Sequence, residues 1–193
     1  MRIIRDAEQV RMPWKNGGGE TIEFARGPEG SSLDNFDWRL SRARIDGSGP
    51  FSRFDGIDRT LSILDGEGIL LSFAKGESIR LTAQSEPFAF DGERAVHSEL
   101  LKGQVTDLNV MTRRGRFFHS VEILTAISKP IVSGSADTHV FLFSTVQAKI
   151  EAAEVRNALG PNDAVLLAPD DNVTIVPERA GRIFRIEIRP VVR

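Results

Sequence analysis

The 193 residues suffice for one large all-β domain or two small ones, and 40% hydrophobic with 27% charged residues is ordinary globular composition. A net charge of −2 argues against a nucleic-acid partner, and the absence of cysteine excludes disulfides, thiolate catalysis and cysteine–zinc sites. The first residues lack a signal-peptide core and no segment approaches the roughly 20 apolar residues of a bilayer span, so no membrane partner and a cytoplasmic location are expected.

The first informative segment is Pro13-Trp-Lys-Asn-Gly-Gly-Gly-Glu-Thr-Ile-Glu, residues 13–23. Three glycines open positive φ and bare backbone N–H groups to it. Lys15 and Asn16 precede them, while Thr21 and Glu23 share one face of a strand. The segment reads either as a ligand-contacting loop or as a glycine-rich turn between strands. It lacks the Gly-Lys-Ser/Thr ending of a phosphate loop.

Next, Trp38–Ile45 alternates. Arg39, Ser41, Ala43 and Ile45 form a face suited to a cavity, and Trp38, Leu40, Arg42 and Arg44 form a face suited to an outer wall. In residues 49–61, Phe51 and Phe54 read as staples of a long loop, and Arg59 stands at the mouth of a buried strand. An arginine there makes a two-pronged contact with a carboxylate, or pairs structurally with Asp55 or Asp58.

Strand signals continue through Leu61–Leu64, Gly68–Phe73, Ser78–Leu81, Phe88–Phe90, Val105–Met111, His139–Ser144, Ala164–Leu167, Val173–Val176 and Ile183–Ile188. Turns such as Asp65-Gly-Glu-Gly, Lys75-Gly-Glu and Pro169-Asp-Asp-Asn separate them. Only Glu151–Leu159 has a helical composition, stopped by Gly160-Pro161. Twelve Phe against no Tyr and two Trp predict a core of rings without hydroxyls.

A faint internal repeat aligns Phe88–Glu93 with Val165–Asp171 and Val105–Met111 with Ile183–Ile188. It predicts two similar β-barrels in tandem, with a boundary near the solvated connector Arg113-Arg-Gly-Arg. The expected domains are 1–112, carrying the ligand pocket, and 113–193, packed as one unit with strand exchange between them as an option. The only histidines, His97, His119 and His139, are too scattered for a metal site, so neither metal nor cofactor is expected. His97 is the one close to the strand carrying Asp107 and Asn109.

These motifs together resemble the HutD/Ves family. The resemblance rests on Pro13-Trp-Lys-Asn-Gly-Gly-Gly with Thr21 and Glu23, Phe36-Asp-Trp-Arg-Leu-Ser, Gly49-Pro-Phe-Ser with Asp58-Arg59, Leu64-x-Gly-x-Gly, His97, Gly103 and Asp107-Leu-Asn-Val-Met. It implies an all-β fold of tandem cupin-like β-barrels, a bicupin, with little helix and without the usual cupin metal histidines. It also implies non-catalytic binding of a small carboxylate of the urocanate or N-formylglutamate class, with modulation of histidine-utilisation expression. The site residues carried over are Lys15, Asn16, Thr21, Glu23, Arg39, Ser41, Arg59, His97, Asp107 and Asn109. Two alternatives stay open. One is a metal-independent enzyme using Glu23, His97 and Asp107 as acid and base. The other is an interaction module forming a homodimer through an exposed sheet edge.

Overall fold

The computed structural model describes residues 1–74, 76–124, 130–132, 136–152 and 155–192. Lys75 of the expected Lys75-Gly-Glu turn lies outside the described residues. The strands begin with β1 (Arg2–Ile4), β2 (Val10–Pro13), β3 (Gly19–Gly27), β4 (Trp38–Ile45), β5 (Gly49–Pro50) and β6 (Ile57–Asp65). They continue with β7 (Ile69–Phe73), β8 (Ser78–Leu81), β9 (Phe88–Asp91), β10 (Val96–Leu100), β11 (Val105–Arg113) and β12 (Phe117–Leu124). The last are β13 (Ile131–Val132), β14 (His139–Ser144), β15 (Ala148–Ala152), β16 (Val155–Leu159), β17 (Ala164–Leu166), β18 (Asn172–Pro177) and β19 (Ile183–Pro190). Among the described residues the one helical element is a 3-10 turn at Asp6–Glu8.

The chain divides into two compact units, Val10–Arg116 and Met1–Gln9 with Phe117–Arg193. The first holds a six-stranded sheet, β2-β3-β4-β11-β6-β9, and a four-stranded sheet, β5-β10-β7-β8. The second holds a five-stranded sheet, β1-β17-β14-β19-β12, and a four-stranded sheet, β13-β18-β15-β16. The run β4-β11-β6-β9 recurs as β12-β19-β14-β17, and β5-β10-β7-β8 recurs as β13-β18-β15-β16. The faint sequence repeat, which pairs β9 with β17 and β11 with β19, follows this recurrence.

In each unit both sheets contribute to one apolar core. In the first, Leu61, Ile63 and Val105 of the larger sheet meet Ile69, Leu71 and Val96 of the smaller. In the second, Val140, Leu142, Val165 and Ile183 meet Ile150, Val173 and Ile175. The expected phenyl packing is present: Phe73, Phe88 and Phe90 lie with ring centroids 5.7–6.0 Å apart, and Phe141, Phe143 and Phe184 are fully buried. Burying each such side chain contributes roughly 1.5–3 kcal/mol.

Three expectations need correction. The sheets of a unit share a core, but among the described residues no ladder joins them into a closed barrel. The edge strand β5 contributes two residues only. Glu151–Leu159 is not a helix: Ala148–Ala152 and Val155–Leu159 pair as an antiparallel hairpin, residues 153 and 154 lying outside the described residues. Its period of two sends Ala148, Ile150 and Leu159 into the core, whereas a helix this short has little stability of its own. Finally, the second face of β4 is no outer wall: Leu40 and Arg42 are buried, and only Arg44 is exposed. Ile22, Leu108 and Val110, buried on the flanking strands, extend the same apolar surface.

Candidate ligand-binding site

Period-two alternation in β4, β6 and β11 brings polar side chains together on the core-facing side of the six-stranded sheet. Register sets Asp107 opposite Ala43, Asn109 opposite Ser41 and Met111 opposite both Arg39 and Arg59. Beyond the apolar packing of Leu61 and Ile63, this face opens into a cavity of about 550 Å³. Arg39, Ser41, Ala43, Ile45, Arg59, Asp107, Asn109 and Met111 come from the sheet. Phe51 and Phe54 come from the loop after β5, and Trp14, Lys15 and Asn16 from the β2–β3 turn. The volume suits a small metabolite.

The β2–β3 turn is built from its own hydrogen bonds. Gly17 N–H donates to Trp14 O at 3.0 Å, and Gly18 N–H to Asn16 Oδ1 at 3.1 Å. Those amides therefore hold the turn and are not spare donors for a ligand. At Gly19, φ is +155° and an added Cβ would lie 2.1 Å from the Arg44 carbonyl oxygen, so the close approach of the two strands requires glycine. Trp14 Nε1 donates to Thr21 Oγ1 at 2.9 Å, which fixes the indole at the cavity wall.

The cavity's two buried arginines differ in partnership. Arg39 Nε donates to Glu23 Oε2 at 2.6 Å, a buried ion pair that cancels both charges. A bulge between Glu23 and Ala25 accompanies this contact, and Arg26 Nε stands 3.3 Å from the second Glu23 oxygen. Arg59 Nε instead donates to a neutral group, Asn109 Oδ1, at 2.7 Å. Its guanidinium lies 4.7 Å from the Phe51 ring centroid and 5.4 Å from that of Phe90, which hold it by cation–π attraction. The pair with Asp58 is not formed: Asp58 Oδ1 accepts from Arg114 Nε at 2.7 Å, and Asp55 is exposed.

Asn109 Nδ2 donates in turn to Asp107 Oδ1 at 2.6 Å, and Ala43 N–H reaches the same oxygen at 3.1 Å. Burial pushes the Asp107 carboxyl up to about 7, against the pull of Arg59 and these two bonds. Burial likewise draws Arg59 down to about 10, partly offset by Asp107, and it stays a cation at neutral pH.

Of the residues singled out in the sequence, Lys15, Asn16, Thr21, Arg39, Ser41, Arg59, Asp107 and Asn109 line one cavity. Glu23 stands behind it as the partner of Arg39. His97 lies on β10, exposed and paired with Pro50, outside the cavity lining. The sequence reading missed Trp14, Met111 and the wall role of Phe51 and Phe54. Alternation from Asp107 through Asn109 to Met111 would have found Met111. No group of three or more His, Asp or Glu side chains able to hold a metal occurs among the described residues.

The HutD family model matches residues 6–184. An uncharacterized 21.2 kDa protein in the hutC 3′ region of Pseudomonas putida is 35% identical over 188 residues, covering 97% of each chain. A protein Ves from Citrobacter koseri is 39% identical over 104 residues, covering 53% of each chain. The structure of HutD from Pseudomonas fluorescens SBW25 (formate condition) superposes with a TM-score of 0.82 at 30% identity, over 99% of each chain. A bacterial pirin from Escherichia coli, solved with nickel(II), superposes at 0.65 with 11% identity over 99% of each chain, a likeness of cupin-like fold alone. Family model, full-length identity and full-length superposition agree, and the chain belongs to the HutD/Ves family.

Proposed function

We propose that the protein is a non-catalytic binder of a small carboxylate of the urocanate or N-formylglutamate class. The observation that carries this reading is Arg59: a buried cation, held by a neutral amide and two rings, on the wall of a metabolite-sized cavity. A carboxylate against its planar fork gains a charge-assisted contact of about 1.5–3 kcal/mol. Lys15 adds exposed positive charge at the lining, Ser41 and Asn109 add polar contacts, and Phe51, Phe54 and Met111 supply the apolar wall. The hutC-region relative and the HutD structure support a ligand drawn from histidine breakdown and a role in modulating its expression. A chain without cysteine suits a cytoplasmic binder, and no helix among the described residues is long and apolar enough to cross a membrane. The cupin-like likeness and the recurring strand order support a tandem cupin reading of the two units.

The test is titration calorimetry with urocanate, N-formyl-L-glutamate and the neutral amide of each acid. Saturable binding of the acids, lost in a folded Arg59→Ala, is expected. Equal affinity for acid and amide would remove the carboxylate reading.

A second reading, a metal-independent enzyme, is favoured by Asp107 alone, whose carboxyl titrates near neutrality as a general base requires. Glu23 is neutralised by Arg39 and His97 is outside the cavity, so the acid–base set does not converge. Turnover of either acid, abolished in Asp107→Asn, would establish this reading.

A further inference from the structure

Asp107 Oδ2 distinguishes this cavity. Oδ1 of the same carboxyl accepts two N–H donors, from Ala43 and Asn109, while Oδ2 is buried with no hydrogen-bond partner. A buried oxygen left unbonded is costly, by about 1–3 kcal/mol, and native structures rarely retain one without a reason. Asp107 lines the cavity, so a bound molecule can supply the missing partner.

The charges facing Asp107 decide what form that partner meets. β6 contributes Arg59, β4 contributes Arg39, β3 contributes Glu23 behind Arg39, and the β2–β3 turn contributes the exposed Lys15. Arg39 and Glu23 cancel at 2.6 Å. The uncancelled buried groups are Arg59 and Asp107, which balance when Asp107 is ionised. A carboxylate seated on Arg59 adds a second anion to the same enclosure, and two carboxylates in one site do not both stay charged. A proton on Asp107 restores the balance. With Oδ1 already accepting two bonds, that proton belongs on Oδ2, which becomes a donor.

Resting on the carboxylate reading above, we propose that the cavity takes its ligand as an ion pair with Arg59 and captures one solvent proton at Asp107 Oδ2 in the same step, the Oδ2–H then donating to the ligand. One carboxylate and one proton enter the buried enclosure and nothing leaves it; the second carboxylate of N-formyl-L-glutamate stays outside that balance, on the side of the exposed Lys15. Affinity then falls about tenfold per pH unit above the point where free Asp107 ionises and is level below it. Asn at this position mimics the protonated acid: its Oδ1 can accept from Ala43 and Asn109, and its Nδ2–H donates permanently where Oδ2 stood.

The experiment is calorimetry with N-formyl-L-glutamate at about pH 6 and about pH 8.5, each in two buffers of unlike ionisation enthalpy. The ligand's own carboxyls ionise near 4, well below this range. Wild type is expected to take up close to one proton per ligand at the higher pH, with affinity at least tenfold lower there. Asp107→Asn is expected to take up none and to bind equally at both. Binding without proton uptake, or a wild-type pH slope retained in Asp107→Asn, overturns the proton coupling and leaves the carboxylate reading standing. Failure of wild type to bind both N-formyl-L-glutamate and urocanate at the two pH values overturns both. Should Asp107→Asn fail to fold, the wild-type proton count decides alone.

Discussion

Arg59 is held on three sides, by Asn109 and by the rings of Phe51 and Phe90, so its guanidinium plane is fixed before any ligand arrives. Lysine keeps the charge but not the fork or the stacking, and Arg59→Lys should bind N-formyl-L-glutamate roughly tenfold more weakly, with Arg59→Ala weaker still. Calorimetry on folded variants checks both; an unchanged Kd in Arg59→Ala would take Arg59 out of the site. Asp107 makes a separate statement about stability. Its carboxyl is raised in the folded protein from 3.8 to about 7, so the stability it contributes is present below about pH 3.8 and is lost as pH rises through about 7. Asn does not ionise, so the Tm of ligand-free Asp107→Asn relative to wild type should rise by several degrees between pH 5 and pH 8. A flat or falling difference would show that burial does not raise this carboxyl. At this scale the sequence was partly legible. Alternation in β4 placed Arg39, Ser41, Ala43 and Ile45 on the cavity face. That Arg39 is cancelled by Glu23 while Arg59 is not could not be read, because the strand pairing, with its bulge after Glu23, brings together residues that sequence spacing does not associate.

The β2–β3 hairpin is the element on which the cavity wall depends. Gly19→Ala would force a Cβ against the Arg44 carbonyl at 2.1 Å, so the turn carrying Trp14, Lys15 and Asn16 must move. The expected result is a stability loss above about 2 kcal/mol by urea unfolding, together with weaker ligand binding. Wild-type stability in Gly19→Ala would mean that the hairpin tolerates separation from β4. Thr21→Val removes the acceptor of the Trp14 indole N–H and should cost about 1 kcal/mol, with a shifted Trp14 emission in a Trp38→Phe background. Element type was readable where alternation was strong, as in β4, β11 and β19. It failed at Glu151–Leu159, where composition suggested a helix but the core claimed alternate residues for a hairpin. It also passed over β12, whose exposed Phe118, Ser120 and Glu122 alternate with half-buried residues.

At the scale of the whole molecule, the recurring strand order lets the two units be compared position by position. By the repeat that aligns Val105–Met111 with Ile183–Ile188, Asp107, between Ala43 and Ile63, corresponds to Arg185, between Glu122 and Leu142. Asn109 corresponds likewise to Glu187. In the second unit these positions satisfy each other: Arg185 and Arg189 contact Glu187 at 2.6 and 2.8 Å. The equivalent place in the first unit keeps an unbonded carboxylate oxygen and a cation on a neutral amide. On the binding reading proposed above, the ligand belongs to Val10–Arg116, and Glu187→Gln should leave the Kd for N-formyl-L-glutamate unchanged within about twofold. A larger loss would mean that the second unit shares in binding. The recurring strand order was legible because β9 and β11 resemble β17 and β19 in sequence; whether the sheets close was not, since closure depends on ladders between distant strands.

The placement of β1 has a consequence for the order in which the chain can fold as it is made. Arg2–Ile4 leave the ribosome ahead of Val10–Arg116, yet their ladder partner is Leu166–Ala164, with that whole unit intervening. Until that late segment emerges, the backbone of β1 has water for a partner, while the intervening unit already has all its strands and both its sheets. Pulse-labelled hydrogen exchange on stalled nascent chains should therefore find β4, β6 and β11 protected while β1 still exchanges freely. On this schedule Val10–Arg116, the unit proposed to bind, is folded before the partner strand of β1 has been made.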